Sequence, residues 1–391
     1  MRYSIVVPVF NRPDEVRELL ESLTCQSLSD FEVIIVEDGS KSTCKDVCDQ
    51  FAGILDLHYY YKENSGPGQS RNYGAERASG EWIIVLDSDV VLPKNYLENV
   101  DNELYQSGST LELGSLATKG TQELSTLHSP LSTLNSSLST PAAWGGPDAA
   151  HPDFTPVQKA ISYSMTSFFT TGGIRGGKKK LDKFFPRSFN MGVLSEVYKK
   201  LGGFSKMRFG EDIDFSYRIV EAGYQTRLLS SAWVWHKRRT DFRKFFRQVF
   251  NSGIARINLT KRHPGTLKLV HLLPTVFTLG VIFLLMLFMM GVGLYIEGEW
   301  LDAHGLRPTD NMHQGVGFVL CVLALLPLLI YSFIIFVDSS IRNRSLWVGL
   351  LSIPAAFTQL MGYGLGFIKA WWKRCVLGQD EFQAFEKNFY K

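Results

Sequence analysis

Two long apolar stretches near the C-terminus constrain the fold of this chain more than any other feature. Residues 269–296 and 316–337 each exceed the roughly 20 residues that a helix needs to cross a bilayer. Both are predicted to be transmembrane helices. An amphipathic helix over residues 241–264, with a phenylalanine-rich stripe, is predicted to lie in the membrane interface just before them, although a helix facing a protein core is the alternative. The membrane part then covers residues 265–391.

A third apolar segment, residues 346–368, is ambiguous because it contains Pro354, Gly362, Gly364 and Gly366. Its length favours a third span. If it spans, however, the basic residues that follow it end up outside, against the positive-inside rule, whereas a re-entrant or interfacial hairpin keeps them inside. Those basic residues are Lys369, Lys373 and Arg374. We favour three spans.

The charges around the first two spans predict the orientation. Basic residues precede the first span and follow the second, and the loop between the spans is acidic. The positive-inside rule therefore places residues 1–240 in the cytoplasm, in a multi-pass protein of the cytoplasmic (inner) membrane. The chain starts directly with a predicted strand, so we expect no cleavable signal peptide. The five cysteines form no zinc pattern, so we expect reduced thiols.

Residues 1–240 have the pattern of an α/β domain. Short apolar strands at residues 3–10, 31–36, 57–61 and 82–86 alternate with amphipathic helices, which predicts a doubly wound, Rossmann-like parallel sheet. The formal net charge of +3 gives no argument for nucleic acid. Residues 107–140, rich in Ser and Thr with a Leu-Ser-Thr repeat, are predicted to be a low-complexity insertion without a catalytic role. The glycine-rich stretch 165–180 is predicted to be a mobile polar loop that binds a substrate or anionic headgroups, with an ordinary solvated loop as the alternative.

Acidic side chains follow two of these strands. Asp87, Ser88 and Asp89 come directly after the strand at 82–86, at the sheet edge where ligands bind in such folds. Two carboxylates flanking a small residue can hold a divalent cation that carries phosphate oxygens, although a solvated turn has the same composition. Glu37 and Asp38 end the second strand and could receive a base or a ribose, or could simply cap a turn.

Three further features add chemistry to this edge. A glycine-rich loop over residues 63–72 opens a helix, and Arg71 lies in its first turns, where it could face a phosphate. Glu211, Asp212 and Asp214 open a later helix, and capping alone needs only one acid. His236 follows a strand and precedes a basic run.

Taken together and in order, these motifs resemble the family 2 glycosyltransferases with a GT-A fold. The matching features are the first strand with Pro8, residues 37–40, the loop ending in Arg71, the triplet 87–89, residues 210–214 and His236. The resemblance implies a nucleotide-diphospho-sugar donor, UDP- or GDP-linked, a Mg²⁺ or Mn²⁺ ion, and inversion at the anomeric carbon.

The resemblance also implies residue roles. Asp38 is expected to bind the nucleobase, and Asp89, with Asp87 and His236, is expected to hold the metal on the diphosphate. Asp212 is expected to act as the general base, with Glu211 as its rival. The remaining expected donor contacts are Pro8, Glu37, Arg71, Ser88 and Arg238, and the expected acceptor contacts are Trp144, Arg187 and Asn190.

One departure from the family concerns processivity. Polymerising members carry a Gln-x-x-Arg-Trp motif after this region, whereas Gln248 here is followed by Val-Phe-Asn-Ser. We therefore favour transfer of one sugar to a lipid-linked or other membrane-proximal acceptor in cell-surface glycan synthesis. A processive polysaccharide synthase is the second hypothesis. A non-enzymatic membrane scaffold or transport protein with a degenerate sugar-nucleotide domain is the third.

Overall fold

The structure is a computed structural model that describes residues 1–106, 140–151, 153–171, 184–207, 209–304 and 312–381. It divides into two compact units. The first is formed by Met1–His151 and Lys179–Lys237, and the second by Pro152–Lys178 and Arg238–Lys391. Residues 152–178 were predicted to be part of the α/β domain at residues 1–240. In the structure they belong to the second unit. All but the last residue of the predicted insertion, and most of the predicted loop at 165–180, lie outside the described residues.

The elements up to residue 236 follow the predicted alternation of strands and helices. In chain order they are β1 (Tyr3–Val9), α1 (Pro13–Thr24), β2 (Phe31–Asp38), α2 (Lys45–Phe51), β3 (Leu57–Lys62), α3 (Pro67–Ala75), β4 (Trp82–Leu86), β5 (Val90–Val91), α4 (Tyr96–Asp101), β6 (Ala143–Gly145), β7 (Asp148–Ala149), α5 (Pro156–Thr166), α6 (Phe168–Thr171), β8 (Asn190–Leu194), α7 (Ser195–Lys200), α8 (Glu211–Glu221), β9 (Thr226–Leu228) and β10 (Val234–His236). Of these, α5 and α6 belong to the second unit.

The main sheet of the first unit has the strand order β3-β2-β1-β4-β8-β6-β9. The pairs β3-β2, β2-β1 and β1-β4 are parallel, which confirms the predicted α/β fold class. Beyond β4 the sheet becomes mixed, because β8 runs antiparallel to both β4 and β6. A second, three-stranded sheet has the order β5-β10-β7.

Helices cover both faces of the main sheet because its central strands alternate two apolar faces. Val7 of β1 belongs to a core that also contains Leu19 of α1, whereas its neighbour Val6 belongs to a separate core that contains Phe215 and Ile219 of α8. Burial of each such side chain contributes about 1.5–3 kcal/mol. This packing fixes the carboxyl ends of β1, β2 and β4 at one edge.

The second unit contains four longer helices. They are α9 (Phe242–Arg262), α10 (Leu273–Ala303), α11 (Met312–Asn343) and α12 (Leu346–Trp371). Stretches containing α10, α11 and α12 are each long and apolar enough to cross a membrane, by length and composition. Helix α10 begins after the start of its predicted span and ends beyond it, and α11 extends beyond its predicted span at both ends. Pro354 and the glycines do not interrupt α12, so a hairpin inside this segment is not formed.

The glycines of α12 instead allow close packing against α9. A Cβ atom at Gly366 would collide with the carbonyl oxygen of Phe250, and one at Gly253 of α9 would collide with the carbonyl oxygen of Tyr363. Phe245 of α9 is fully buried in a cluster with Ile161 of α5. The apolar stripe of α9 is therefore covered largely by protein, and the position of α9 in the membrane interface stays a prediction.

Candidate active site

The two sheets of the first unit bring three potential metal ligands together. Asp87 and Asp89 follow β4, and His236 ends β10, which pairs with β5 so that His236 lies opposite Val90. One ligand atom each from Asp87, Asp89 and His236 lie within 4.8 Å of one another. His236 comes 147 positions after Asp89 in the chain. The antiparallel pairing of β10 with β5 places it beside the triplet 87–89, where it was expected.

The cluster fits a hard divalent cation. The Nε2 atom of His236 lies 3.3 Å from Oδ1 of Asp89, and the ring stacks on Phe189 with 5.1 Å between centroids. The buried Nδ1 atom of His236 has no hydrogen-bond partner among the described residues. Two carboxylates and an imidazole are ligands that suit Mn²⁺, and Mg²⁺ favours the carboxylates.

Arg71 links this cluster to a second pair of acids. Its guanidinium donates to Oδ1 of Asp87 at 2.8 Å and to Oε1 of Glu211 at 2.9 Å. The side chain is only 4% exposed and lies over the ring of Phe204. The expectation was that Arg71 faces a phosphate. In the structure it instead holds the triplet and the start of α8 at a fixed separation.

Glu211 and Asp212 open α8 in contrasting environments. Asp212 accepts hydrogen bonds from Nε of Arg187 at 2.7 Å and from the backbone N–H of Ile213 at 2.8 Å. Burial acts to raise the pKa of Asp212, but the charge and hydrogen bond of Arg187 outweigh it, so the pKa is lowered. Burial raises the pKa of Glu211 to about 7, although Arg71 opposes this shift. Asp212 is thus the carboxylate that stays ionised. Asp214 pairs with Arg218 at 3.0 Å and stabilises the helix.

Asp38 is buried at the end of β2 and is already extensively bonded. It accepts from Nζ of Lys62 at 2.5 Å and from the backbone N–H groups of Ser65 and Gly66, both at 2.9 Å. These bonds fix the loop that opens α3. A nucleobase contact, which we keep as a proposal, would use the remaining acceptor capacity of this carboxylate.

Several expected ligand contacts need correction because the side chains are enclosed. Glu37 has no exposed surface and accepts from Ser40, from Tyr59 and from the backbone N–H of Cys44, so it stabilises the turn before α2. Asn190 is equally buried and bonds to Tyr96 and to the carbonyl of Ala232.

The other residues that were expected to contact the donor or the acceptor differ in their exposure and in the unit to which they belong. Trp144 is fully buried against Gly192, so it supports the site from the core and does not contact an acceptor in this conformation. Arg187 is 39% exposed and remains available to a substrate. Ser88 is buried within the triplet, and Pro8 pairs with Val36 near the end of β1. Arg238 belongs to the second unit, where its carbonyl oxygen accepts from Gln158 at 3.0 Å.

The structure adds residues that the sequence analysis missed. Arg12, in the turn after β1, donates to Oδ2 of Asp89 at 2.5 Å. Lys62 holds Asp38, and Phe189 supports His236. A charged residue at the carboxyl end of the first strand was the available signal for Arg12, because that end lies at the ligand-binding edge.

Comparisons with known proteins agree with this geometry. Residues 4–180 match the family model described as "Glycosyl transferase family 2". An "Uncharacterized glycosyltransferase" of Haemophilus influenzae is 45% identical over 86 residues, which are 22% of this chain and 29% of that protein. "Glycosyltransferase GlyG" of Streptococcus pneumoniae is 30% identical over 114 residues, covering 28% of this chain and 38% of that protein. The chain therefore spans well under half the length of these curated relatives.

A solved structure shows the same fold. The mannosyltransferase PcManGT from Pyrobaculum calidifontis, in complex with GDP-Man and Mn²⁺, superposes with a TM-score of 0.53 at 14% identity. The similarity covers 95% of this chain and 88% of that one. Residues 4–180 are therefore similar to the family 2 glycosyltransferases, and the chain has the fold of a GT-A transferase.

Proposed function

We propose that the chain transfers a sugar from a nucleotide-diphospho-sugar to a membrane-proximal acceptor, with inversion at the anomeric carbon. The observation that supports this proposal is a group of linked polar side chains in the first unit. The cluster Asp87-Asp89-His236 can hold a cation, and Arg71 joins it to Glu211, beside which Asp212 stays ionised. Such a transfer needs both a site for the diphosphate and a base for the acceptor hydroxyl.

Asp89, Asp87 and His236 would hold the divalent cation, Mg²⁺ or Mn²⁺. When bound, the ion neutralises the charge that develops on the leaving nucleoside diphosphate. The Mn²⁺ in the structurally similar mannosyltransferase supports a metal here, and its GDP-Man supports a nucleotide-sugar donor, either GDP- or UDP-linked.

Asp212 would take the proton from the attacking hydroxyl. The acceptor oxygen forms a bond to the anomeric carbon while the bond from that carbon to the diphosphate oxygen breaks, and the electron pair leaves with the nucleoside diphosphate. Attack opposite the leaving group inverts the configuration. Arg187 would keep Asp212 ionised and oriented through its 2.7 Å bond, and its exposed part could contact the acceptor.

The second unit suggests the type of acceptor. Helices long and apolar enough to cross a membrane follow the transferase domain in the chain. They support an acceptor that is lipid-linked or otherwise held at the membrane, in a cytoplasm-facing step of cell-surface glycan synthesis. The orientation and the membrane concerned rest on the charge pattern of the sequence.

The test offers a panel of radiolabelled UDP- and GDP-sugars to membranes that contain the full-length protein, followed by lipid extraction. We expect label in the lipid fraction from one donor class. EDTA and the Asp89→Ala variant should abolish the transfer, whereas Asp14→Ala, which removes an exposed acid on α1, should retain it. Label transfer that persists in excess EDTA would contradict the metal-dependent mechanism. Long products would favour a processive synthase, and the absence of both transfer and donor hydrolysis would favour a non-enzymatic role.

A further inference from the structure

The helices α10 and α11 pack as an antiparallel pair, which gives the second unit a frame of reference. Gly291 of α10 packs against the backbone of Gly317 in α11, and Phe277 near the start of α10 contacts Tyr331 with 5.2 Å between ring centroids. The start of α10 therefore lies at the same level as the last third of α11. The far ends of both helices lie together, where a Cβ at Gly298 would meet Gln314.

The first turns of α12 pack against the end of α11. The hydroxyl oxygens of Ser352 and Ser339 are 2.7 Å apart, and a Cβ at Gly349 would lie 2.9 Å from the carbonyl oxygen of Phe336. Helix α12 therefore begins at the level where α11 ends.

The middle of α12 lies against the first turns of α10 and against Tyr331 of α11, whose ring centroid is 5.7 Å from that of Phe357. Phe357 contacts Phe277 with 5.6 Å between centroids, and the hydroxyl of Thr278 donates to the carbonyl of Leu360 at 3.4 Å. Gly364 packs against the same threonine. From Phe357 to Gly364, α12 thus stays within about one turn of the same level.

The end of α12 reaches the residues that precede α10. Phe367 and Ala370 share a cluster with Ile254 and Ile257 of α9, and Leu272 packs against that cluster. The Nζ atom of Lys261, in the last turn of α9, donates to the carbonyl of Arg374. Both ends of α12 therefore lie at the same end of the α10–α11 pair.

These contacts are incompatible with α12 as a third span. A helix of 26 residues is about 39 Å long and would reach the opposite side of the bilayer if it ran alongside α11. We propose that α12 lies along the bilayer surface with α9, and that the described helices of this chain cross the membrane only twice. The partner of its outer face is the interfacial region of the bilayer.

The exposed side chains of α12 and the turn that follows suit this position. Trp347, Trp371 and Trp372 are about half exposed, near the two ends of the helix, and tryptophan is enriched at membrane–water interfaces. Lys369 lies in the last turn. With α12 on the surface, the basic residues at its end stay on the side where α10 begins. The positive-inside rule, which three spans would break, is then obeyed.

Native Cys375, which is exposed directly after α12, allows a direct test. The full-length protein with Cys25→Ser is treated in spheroplasts with a membrane-impermeant maleimide, before and after permeabilisation. Two reference variants carry Cys25→Ser and Cys375→Ser with one new exposed cysteine each. Arg243→Cys lies at the start of α9, and His304→Cys follows α10.

We expect Cys375 and the cysteine of Arg243→Cys to react in the same one of the two treatments, either before permeabilisation or only after it. The cysteine of His304→Cys should react in the other treatment. Labelling of Cys375 together with His304→Cys would overturn the proposal, because it requires α12 to cross the bilayer. The experiment uses the native cysteine as its main readout and does not depend on catalytic activity, so the proposed function can fail independently.

Discussion

Each of four carboxylates at the candidate site pairs with an arginine, and one arginine is shared by two of them. Arg71 serves Asp87 and Glu211, Arg12 serves Asp89, and Arg187 serves Asp212. Four acids thus face three guanidinium groups, so a divalent cation would make the site net positive, as binding of an anionic diphosphate requires. The arginines make it possible to bury this many acids close together.

The general base can be tested at Asp212. Asp212→Asn keeps the shape and one oxygen but removes the basicity, so we expect kcat to fall by about 10²–10⁴-fold with donor affinity nearly unchanged. Steady-state kinetics with a saturating metal ion measure both quantities. Glu211→Gln is the matched control. A normal kcat in Asp212→Asn together with a large loss in Glu211→Gln would identify Glu211 as the base.

The pH profile separates the same two residues in the unmodified protein. Because its pKa is lowered, Asp212 is deprotonated throughout the neutral range, and activity that depends on it is lost only as the pH falls through that low pKa. Activity should therefore change little between about pH 6 and 8. If Glu211 were the base, half of the activity would be lost near pH 7, where its pKa lies. Arg187→Gln should move the acid limb upward by about one pH unit, since it removes the charge that lowers the pKa of Asp212.

Arg12 should compete with a divalent cation for Asp89. Arg12 is 32% exposed and pairs with Asp89, whereas Arg71 is buried between two acids, so Arg12 is the arginine that can move. In Arg12→Gln we expect Mn²⁺ to bind about fivefold more tightly without nucleotide, corresponding to a partly exposed ion pair of about 1 kcal/mol. Mn²⁺ binding is measured by electron paramagnetic resonance, with and without UDP or GDP.

Two variants control this measurement. Arg17→Gln removes a partly exposed arginine of α1 that bonds to Gln50, and it should leave the Mn²⁺ affinity unchanged. Arg12→Lys keeps the charge and should lie between the wild type and Arg12→Gln. Weaker or unchanged Mn²⁺ binding in Arg12→Gln would show that Arg12 does not compete for Asp89.

At the scale of elements, glycine determines how closely α9 and α12 approach. Gly366→Ala places a methyl group against the carbonyl of Phe250, and such overpacking costs about 1–3 kcal/mol. We expect a lower melting temperature in detergent, followed by tryptophan fluorescence. Gly280→Ala in α10 is the control, because a Cβ there meets nothing within 4 Å. Equal melting temperatures for the two variants would mean that the α9–α12 contact does not limit stability.

At the scale of the whole molecule, the low-complexity insertion should be dispensable. Its residues lie outside the described part of the chain except for Thr140, and β6 begins only at Ala143. Deletion of residues 124–140 should therefore leave the melting temperature and the binding of UDP or GDP unchanged, because it removes none of the described strands. Loss of folded protein or of nucleotide binding would show that the insertion is structural. Gel filtration and isothermal titration calorimetry are the measurements.

The sequence alone was enough to predict the first four strands and the acids of the candidate site. Short apolar runs predicted β1 to β4, and the acids at their ends were recognisable because parallel strands expose their carboxyl ends at one edge. The length of the apolar segments identified three helices able to cross a membrane. These properties are local, so a short window of residues is enough to predict them.

Only the tertiary structure decided which polar side chains are enclosed around the candidate site and where the two ends of α12 lie relative to α10 and α11. Burial of Glu37, Trp144 and Asn190 and the pairing of Arg12 with Asp89 depend on neighbours that are distant in the chain. Length and hydropathy indicate how favourable it is to bury α12 in an apolar environment. They do not indicate the direction in which this helix runs. The direction of α12 is determined by its packing against α9, α10 and α11. This packing brings both ends of α12 to the same end of the α10–α11 pair.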